Sequence, residues 1–438
     1  MRKSILTLTG YAKRFLRRGR LFHQLLQELR QNEKLSRSEL IEYQNQKLQL
    51  TVRQAYKDTS FYRQLFEKLK LTPEDIQTVD DLQLLPILKK SDLRGNEKQF
   101  VSSNSVLKFK AYTSGTTGTP LNLFRDRFSI NLENAAIWRQ RNWAKVMLND
   151  RIVKIRGDII TPIDNSKPPF WKYTSADKQL IMSSYHLSDE FIPYYLQKLR
   201  DFCPAAIEAY PSSVYRLARY MQVHQETPIL VKAVFTSSEM LFDYQRELIE
   251  KYFGRVFDYY GNAERVAYIA MCEFGNYHCA SDYSVVEFLP TQDPDLYQIV
   301  GTTLHNAAMP LIRYATGDLA RLSHQSCPCG RAFPLIKNIE GRQDDYVITP
   351  SGKWIGRLDL VFKGVSELVE GQIIQEEIDL VRVLIVPTNN FTQDNENILL
   401  DKLRERLGKE IKIVVQKVDF ISRTKQGKFK LVVSKVRA

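Results

Sequence analysis

The stretch that decides the fold is LVKAVFTSSEMLFDYQRELIEKYFGRVFDYYGNAE, residues 230–264. Its apolar run 230–237 predicts a buried strand, and residues 242–253 have the periodicity of a helix that ends before Gly254. Residues 255–260 predict a second strand. A strand, a helix and a strand within about thirty residues predict a parallel crossover unit of an α/β fold.

The two loops of this unit carry polar side chains. Ser237, Ser238 and Glu239 follow the first strand, and Gly261–Glu264 follow the second strand. If the strands are parallel, both loops lie at the carboxyl ends of the sheet, where open α/β sheets bind ligands. The unit therefore predicts a ligand site built from these two loops.

The C-terminal part has a different pattern. Residues 379–387 and 411–418 predict strands, and residues 394–407 between them predict an amphipathic helix. We therefore expect an α/β protein with a large, multi-sheet N-terminal domain that contains parallel crossover units, and a small, mobile α+β C-terminal domain. The expected division is a basic N-terminal segment 1–34, a large domain 35–343 and a small domain 344–438.

The formal net charge of +13 is concentrated at the two ends of the 438 residues. Residues 1–31 carry eight Lys or Arg against one acid, and residues 401–438 carry twelve against four, so the stretch between them sums to −2. Because a basic pI then describes the ends alone, we expect no nucleic-acid partner. No apolar run reaches the roughly 18 residues that a bilayer span needs.

The N-terminal pattern leaves three alternatives open. Residues 1–30 predict an amphipathic helix with Arg14, Arg17 and Arg18 on its polar side. Such a helix either lies on an anionic membrane, packs on the body with its charges in solvent, or is a mitochondrial-type presequence. The N-terminal residues do not have the pattern of a secretory signal. Five cysteines are too few for a disulfide scaffold in a chain of this length. We expect a cytoplasmic protein, with the inner face of the membrane as an alternative location.

The most specific segment is YTSGTTGTP, Tyr112 to Pro120. Its glycines expose backbone N–H groups and its hydroxyls add donors, which favours polyphosphate binding. A Walker loop is excluded, because no Lys followed by Ser or Thr comes after the second glycine. From the residues alone, a polar surface loop stays an open alternative. The candidate phosphate ligands are Thr113, Ser114, Gly115, Thr116, Thr117 and Gly118.

Six ordered motifs resemble those of the adenylate-forming superfamily, which includes acyl- and aryl-CoA ligases. They are YTSGTTGTP, SSE at 237–239, YYGNAE at 259–264, YATGD at 314–318, GRQDD at 341–345 and RTKQGKFK at 423–430. Within the superfamily, residues 61–94 are similar to the opening of phenylacetate–CoA ligases and of the CapK-type proteins of capsule and lipopolysaccharide gene clusters.

The resemblance implies which residues bind ATP and Mg²⁺. Glu264 would hold Mg²⁺, as hard oxygen ligands do, and Asp318 would accept hydrogen bonds from both ribose hydroxyls. The other implied nucleotide contacts are Ser238, Glu239, Tyr260 and Gly261 on the adenine side and Arg342 at the ribose or phosphate.

The resemblance also implies a catalytic lysine and a hinge. Lys428 would bridge the attacking carboxylate and the α-phosphate, and its place in the motif selects it over Lys425 and Lys430. Asp344 would be the hinge about which the C-terminal domain rotates between two half-reactions.

Two cysteine segments resemble a structural zinc site of phenylacetate-type ligases. They contain Cys272 with His278 and Cys327 with Cys329. Three thiolates and one imidazole complete a tetrahedral set with no open position. Cys279 is an alternative ligand to His278, and unconnected free thiols are the other alternative.

The sequence gives its weakest signal for the acyl pocket. Tyr112, Trp138 and Tyr210 are candidate lining residues, although aromatic residues at such spacings are more often core. Two positions depart from the family pattern. Ala263 stands where Thr or Ser is common before the metal-binding Glu, and Leu121 stands where many members carry Lys.

The reaction implied is that of an ATP-dependent, AMP-forming ligase. It would convert a small carboxylic acid to an acyl-AMP and transfer the acyl group, with coenzyme A as the expected acceptor. An amine in cell-surface polysaccharide synthesis is the alternative acceptor, which the CapK likeness implies. A non-catalytic nucleotide- or polyanion-binding protein is a third alternative, against which Glu264, Asp318 and Lys428 together argue.

Overall fold

The computed structural model describes residues 17–104, 107–112, 121–323, 325–342, 346–352, 354–356, 358–362, 364–424 and 427–436. The α-helices are α1 Arg20–Asn32, α2 Arg37–Asp58, α3 Ser60–Leu69, α4 Lys90–Leu93, α5 Glu97–Phe100, α6 Arg127–Trp143, α7 Ile192–Phe202, α8 Pro211–Val223, α9 Asp243–Phe253 and α10 Gln393–Leu407. The strands are β1 Phe109–Tyr112, β2 Asn122–Arg125, β3 Ile152–Arg156, β4 Trp171–Thr174, β5 Gln179–Ser183, β6 Ala206–Ala209, β7 Ala233–Ser237, β8 Val256–Gly261, β9 Tyr268–Met271, β10 Tyr277–Cys279, β11 Ser284–Pro290, β12 Tyr297–Thr303, β13 Tyr314–Leu322, β14 Leu335–Arg342, β15 Val347–Ile348, β16 Trp354–Ile355, β17 Leu368–Glu377, β18 Leu380–Pro387, β19 Lys412–Lys417 and β20 Val432–Ser434.

The chain forms two compact units. The first contains the residues up to Ile152, Tyr173–Leu180 and Phe257–Ile339, and the second contains Val153–Lys172, Ile181–Val256 and Glu340–Ala438. These units do not follow the order of the chain, so the expected domain boundaries at 34 and 343 stay a prediction.

The first unit is built on a largely antiparallel sheet. Its strands lie in the order β11-β12-β13-β14-β10-β9-β8, and β11–β12, β12–β13 and β8–β9 are antiparallel pairs. Helix α2 begins at Ser36, which forms a reciprocal capping box with Glu39. Leu48 and Val52 of α2 and Phe66 of α3 are fully buried in one cluster with Tyr314 of β13. This cluster supports the face of β13 that carries the YATGD segment.

Helix α1 belongs to this first unit. It packs against α6, and its apolar side chains Phe22, Leu25, Leu26 and Leu29 are all buried. Their burial corrects the membrane hypothesis for residues 20–32, because the apolar side of this helix is covered by protein. Residues 1–16, the rest of the predicted helix, lie outside the described residues. Within the described ranges, no helix is both long and apolar enough to cross a membrane.

The second unit contains a parallel crossover. Strands β6 and β7 are parallel and are joined by α8. The predicted elements that follow are confirmed within one residue, as α9 and β8. Strand β7 begins at Ala233 rather than at 230, because the N–H groups of Ile229 and Val231 donate to the last carbonyls of α9, at 2.9 Å each. Gly254 ends α9 at φ +97°, where a Cβ would lie 2.8 Å from the Val231 carbonyl.

The C-terminal sheet of the second unit confirms the α+β prediction. Its strands lie in the order β19-β18-β17-β20. Strand β18 is antiparallel to β17 and parallel to β19, and α10 connects β18 to β19. The helix buries Leu399, Leu403 and Leu407 in one cluster with Ile373 and Val383 of the sheet. An α/β protein with a smaller α+β sheet domain is therefore the observed fold class.

Candidate active site

Asp318 of β13 lies beside Tyr260 of β8. The Tyr260 hydroxyl donates a hydrogen bond to Asp318 Oδ2 at 2.7 Å, and the N–H of Asp318 donates to Thr316 Oγ1 at 3.1 Å. Burial, helped by the Asp318 charge, raises the pKa of Tyr260 well above its usual value, so this hydroxyl remains a donor. The pair orients a carboxylate that can accept hydrogen bonds from vicinal hydroxyls.

Glu264 lies in the turn that follows β8. The Tyr314 hydroxyl donates to Glu264 Oε1 at 3.0 Å, and among the described residues no hydrogen bond reaches Oε2. Arg125 donates to the neighbouring Ala263 carbonyl at 2.6 Å. Burial, and then the charge of Arg265, lower the pKa of Arg125 to about 10, so it is still a cation at neutral pH. A carboxylate with one unengaged oxygen fits the preference of Mg²⁺ for oxygen ligands.

Ser238 and Glu239 follow β7 in the second unit. Ser238 has a left-handed backbone, at φ +73°, which turns the chain sharply after the strand. Glu239 Oε2 accepts from the Ser212 N–H at 3.1 Å, and Oε1 accepts from the Phe429 N–H at 2.6 Å. Burial raises the pKa of the Glu239 carboxyl above its usual value, and these two N–H groups oppose that shift. Glu239 therefore links the SSE segment to the segment that contains Lys428.

Lys428 lies in a tight turn of the second unit. The N–H of Lys428 donates to Thr424 Oγ1 at 3.1 Å, and the Thr424 N–H donates to the Lys428 carbonyl at 2.9 Å. Gly427 has a φ of +72°, and a Cβ there would lie 2.8 Å from Gly157 Cα and 2.9 Å from Ser184 Oγ. Glycine is required at 427 on both grounds, since the backbone is left-handed and the neighbour is main chain.

Several predicted site residues lie outside the described residues. They are Thr113, Ser114, Gly115, Thr116, Thr117 and Gly118 of the phosphate loop and Asp344 of the hinge. For Arg342, the structure describes only its place as the last residue of β14. Their roles stay predictions.

The three candidate residues of the acyl pocket lie in different environments. Tyr112 ends β1 with 58% of its surface exposed, whereas Trp138 is 1% exposed inside the first unit. The guanidinium carbons of Arg18 and Arg141 lie 4.9 and 4.5 Å from the Trp138 ring centroid. Trp138 is thus enclosed by protein, and its place in an acyl pocket stays a prediction. Tyr210 is buried at the start of α8.

The structure brings the four predicted zinc ligands together. The ligand atoms of Cys272, His278, Cys327 and Cys329 all lie within 4.8 Å of one another. Cys272 Sγ is 3.6 Å from Cys327 Sγ, and Cys329 Sγ is 3.3 Å from His278 Nε2. Burial lowers the pKa of His278 to about 4, which keeps its imidazole neutral, as a metal ligand must be. Cys279, the alternative ligand, does not belong to this cluster among the described residues.

Two contacts were not predicted from the sequence. Arg125 of β2 donates to the Ala263 carbonyl, and Arg423 forms a two-point ion pair with Glu370, at 2.6 and 3.0 Å. Both pairs join residues more than fifty positions apart, so no local spacing could have indicated them. Arg423 is the first residue of the RTKQGKFK motif, but its pairing with Glu370 depends on the fold.

Comparisons with known proteins agree with these motifs. The family described as the CapK C-terminal domain matches residues 347–435. Protein CapK of Staphylococcus aureus is 26% identical over 409 residues, which is 91% of this chain and 90% of that protein. A phenylacetate-coenzyme A ligase of Thermus thermophilus is 24% identical over 422 residues, which is 87% of this chain and 91% of that protein.

A solved structure has the same fold over most of the chain. The crystal structure of a 2-hydroxyisobutyryl-CoA ligase, in the postadenylation state with an acyl-AMP, superposes with a TM-score of 0.72 at 19% identity. The match covers 92% of this chain and 91% of the other. At this identity, the likeness concerns the fold.

Proposed function

The chain is a ligase of the adenylate-forming superfamily, in the branch of the phenylacetate–CoA ligases and CapK-type proteins, and on this premise we propose that it activates a carboxylic acid with ATP. In the first step, a carboxylate oxygen forms a bond to the α-phosphorus of ATP. The bond from that phosphorus to the bridging oxygen breaks, and its electron pair leaves with pyrophosphate. In the second step, an acceptor attacks the acyl carbon, and AMP leaves with the electrons of its bond.

The first unit would hold the ribose and the metal side of ATP. Asp318, oriented by Tyr260 at 2.7 Å, would accept the two ribose hydroxyls. Glu264 has one oxygen engaged by Tyr314, and its other oxygen accepts no hydrogen bond from the part of the chain that the structure describes, which fits a Mg²⁺ ligand. Bound there, Mg²⁺ supplies positive charge beside phosphate oxygens that gain negative charge in the transition state.

The observation that carries this proposal is the hydrogen bond from Phe429 N–H to Glu239, at 2.6 Å in the second unit. This hydrogen bond joins the lysine motif at 423–430 to the SSE motif at 237–239, although its two residues are 190 positions apart in the chain. A lysine held next to the adenine loop is what the adenylation step needs, because its ammonium would lower the repulsion between carboxylate and α-phosphate. We assign this role to Lys428, and the hinge role to Asp344.

Coenzyme A is the acceptor we propose, and an amine is the second candidate. The likeness to phenylacetate-coenzyme A ligases favours the thiol, whose sulfur would form the thioester. The likeness to CapK extends over 91% of the chain and includes the C-terminal segment that would meet the acceptor. This second likeness, with Ala263 in place of a hydroxyl residue, favours an amine.

We further propose that the Cys/His cluster holds a structural Zn²⁺. Three thiols and one neutral imidazole within 4.8 Å fit a tetrahedral ion and leave no position open for substrate. Arg331, two residues after Cys329, pairs with Glu273 at 2.7 Å and with Glu33 at 3.1 Å. These ion pairs connect the Cys/His cluster to Glu33, the residue that follows α1.

The test is acid-dependent exchange of labelled pyrophosphate into ATP, measured across a panel of carboxylic acids. We expect exchange with at least one acid, and a loss of at least 100-fold in Lys428→Ala. Lys430→Ala is the matched control, because it removes a nearby lysine of the same motif and should retain exchange. Addition of coenzyme A, and separately of amino sugars, then identifies the acceptor by thioester or amide formation.

The outcomes separate the alternatives. Absence of exchange with every acid, together with salt-sensitive binding of polyanions, would contradict the enzyme and support a binding protein. Equal losses in Lys428→Ala and Lys430→Ala would contradict the role of Lys428 while leaving the enzyme intact.

A further inference from the structure

A cavity of about 470 Å³ lies within the second unit, and the roles proposed above leave it unused. Helices α8 and α9 pack against each other, and each lines the cavity with residues at positions i, i+4 and i+7, which share one face of a helix. They are Tyr215, Arg219 and Gln222 of α8 and Tyr244, Leu248 and Lys251 of α9. Phe362, residues 364–371 and Phe429 supply most of the remaining lining. The volume is that of a small-molecule site.

Aromatic rings form part of the cavity wall. The rings of Tyr215 and Tyr244 meet edge to face, with centroids 5.5 Å apart, and the Phe242 ring stacks on Tyr244 at 5.8 Å. A Cβ at Gly371 would collide with the Phe362 ring, so this ring lies directly on the main chain of β17. Rings that are fixed by such packing offer flat apolar surfaces, which favour a planar aromatic ligand.

Two tyrosine hydroxyls of the lining are available to a ligand. Neither the Tyr215 nor the Tyr244 hydroxyl makes a hydrogen bond to the described residues. Burial raises the pKa of Tyr215 above its usual value and that of Tyr244 well above it, so both hydroxyls stay protonated and can donate. Glu370, an acceptor in the same lining, is already bound by Arg423 at 2.6 and 3.0 Å. The two hydroxyls therefore call for an acceptor group on a ligand.

The charged groups of the lining also favour an acceptor. Arg219 Nη1 donates to Gln222 Oε1 at 2.6 Å, and neither Arg219 nor Lys251 forms an ion pair within the described ranges. Of the acids, Glu367 accepts the Thr388 hydroxyl, and Glu247 is exposed, so solvent screens its charge. Two cations without an acidic partner remain on the faces of α8 and α9, where a carboxylate or phosphate group would pair with them.

We propose that this cavity is a second ligand site, separate from the nucleotide site, and that it binds a small aromatic anion, either a carboxylate or a phosphate ester. The rings contact the aromatic part of the ligand, while the tyrosine hydroxyls and Arg219 bind its oxygens. Phe429 lines the cavity, and its N–H donates to Glu239 at 2.6 Å. Because Phe429 follows Lys428 in the chain, the bound ligand also stabilises the turn that contains the lysine.

The test is calorimetric binding of three probes to the full chain in the absence of ATP. The probes are 2-naphthoate, 2-naphthyl phosphate and the neutral 2-naphthamide, which share one ring system. We expect at least one anion to bind 10-fold or more tightly than the amide, because an arginine pairs with charged oxygens more strongly than with a neutral carbonyl. Tighter binding of the naphthoate assigns the site to carboxylates, and tighter binding of the phosphate assigns it to phosphate esters.

Matched variants identify the residues that bind the probe. Arg219→Gln should weaken the anion by about 10-fold or more and leave the amide unchanged. Tyr244→Phe removes one donor with little change of volume, so it should weaken the anion by about 3- to 10-fold. Arg246→Gln is the control, because it removes an arginine of α9 that does not line the cavity. Its affinity for all three probes should equal that of the wild type.

Hydrogen–deuterium exchange locates the bound probe, since an aromatic acid can also enter the active site as a substrate. We expect slower exchange in peptides that cover 215–222 and 364–371 and in the peptide that contains Phe429. A peptide from α2 in the first unit should be unaffected.

The outcomes either support or overturn the second site. Equal binding of the amide and both anions, absence of binding by every probe, or equal losses in Arg219→Gln and Arg246→Gln would overturn it. Binding without slower exchange at 364–371 would also overturn it, because the probe would then lie elsewhere. None of these results bears on the adenylation reaction, which is measured separately by pyrophosphate exchange. Absence of that exchange would in turn leave this site standing.

Discussion

Two polar regions of the first unit satisfy their buried groups in opposite ways. Around the nucleotide motifs, three carboxylates each receive a tyrosine hydroxyl, as the pairs Tyr260–Asp318, Tyr314–Glu264 and Tyr283–Glu133. In the Cys/His cluster, the potential ligands instead lie against one another, with Cys272 and Cys327 sulfurs 3.6 Å apart. A tyrosine hydroxyl satisfies a carboxylate without any ligand, whereas several thiolates this close to one another would repel each other without a cation between them. We therefore expect the first region to have its polar groups in place before substrate binds, and the second region to depend on the proposed metal ion.

Metal removal should have the largest effect, and it should act on stability. We expect one equivalent of zinc in protein purified without added metal, and a fall in Tm of about 10 °C or more after strong chelation or in Cys327→Ser. Thermal denaturation and metal analysis measure both. Cys203→Ser is the control, because Cys203 is an exposed thiol outside the cluster. Metal-free protein that melts at an unchanged temperature would contradict the zinc proposal.

Asp318→Asn should have the next largest effect, and it should act on catalysis. The change replaces an acceptor oxygen and its charge with an amide group, so ribose hydroxyls lose a charge-assisted partner. We expect kcat/KM for ATP in the exchange assay to fall about 100-fold, with a change in Tm of at most about 3 °C. A large fall in Tm with unchanged kcat/KM would instead assign Asp318 a structural role.

Removal of the orienting hydroxyls should have smaller effects. Tyr314→Phe leaves Glu264 in place but without its hydrogen bond, so we expect exchange to fall about 5- to 20-fold. Raising the Mg²⁺ concentration should recover part of this loss, because a less well oriented Glu264 binds the ion more weakly. Tyr260→Phe is the matched variant, and its loss should appear in the KM for ATP without any response to Mg²⁺. The same Mg²⁺ response in both variants would contradict the separate roles.

Acid sensitivity should give the smallest and most selective difference. Burial lowers the pKa of His305 to about 3 from the ordinary 6.5, so the unfolded chain takes up a proton at His305 before the folded protein does. The contribution of neutral His305 to the free energy of unfolding is therefore complete above about pH 6.5, and it is lost as the pH falls from there toward 3. In His305→Asn, urea unfolding between pH 6.5 and 4.5 should depend less on pH. An unchanged pH dependence would contradict this.

The local patterns predicted more of the fold than of the site. Helices α9 and α10 and strand β8 lie where apolar periodicity and the glycine positions placed them. The start of β7 was missed, because Ile229 and Val231 pair with the end of α9 rather than with a strand. For α1 the sequence left packing on the body and binding to a membrane both open, since an apolar side that packs on α6 has the same sequence pattern as one that faces a membrane.

The site motifs were predicted from their resemblance, but their partners were not. Tyr314 is fifty positions from Glu264, and Tyr283 is 150 positions from Glu133. Such pairs arise from strand register and from the packing of α6, neither of which a spacing in the sequence encodes.

The main-chain contact at Gly427 has an evolutionary consequence. A Cβ at this position would meet Gly157 Cα at 2.8 Å, and no side-chain rearrangement relieves a collision with backbone. Positions 157 and 427 are therefore expected to be constrained jointly among related proteins. A homologue with a bulky residue at 427 must place the turn that contains the lysine differently, and inspection of this one position would identify lineages that have lost this turn geometry.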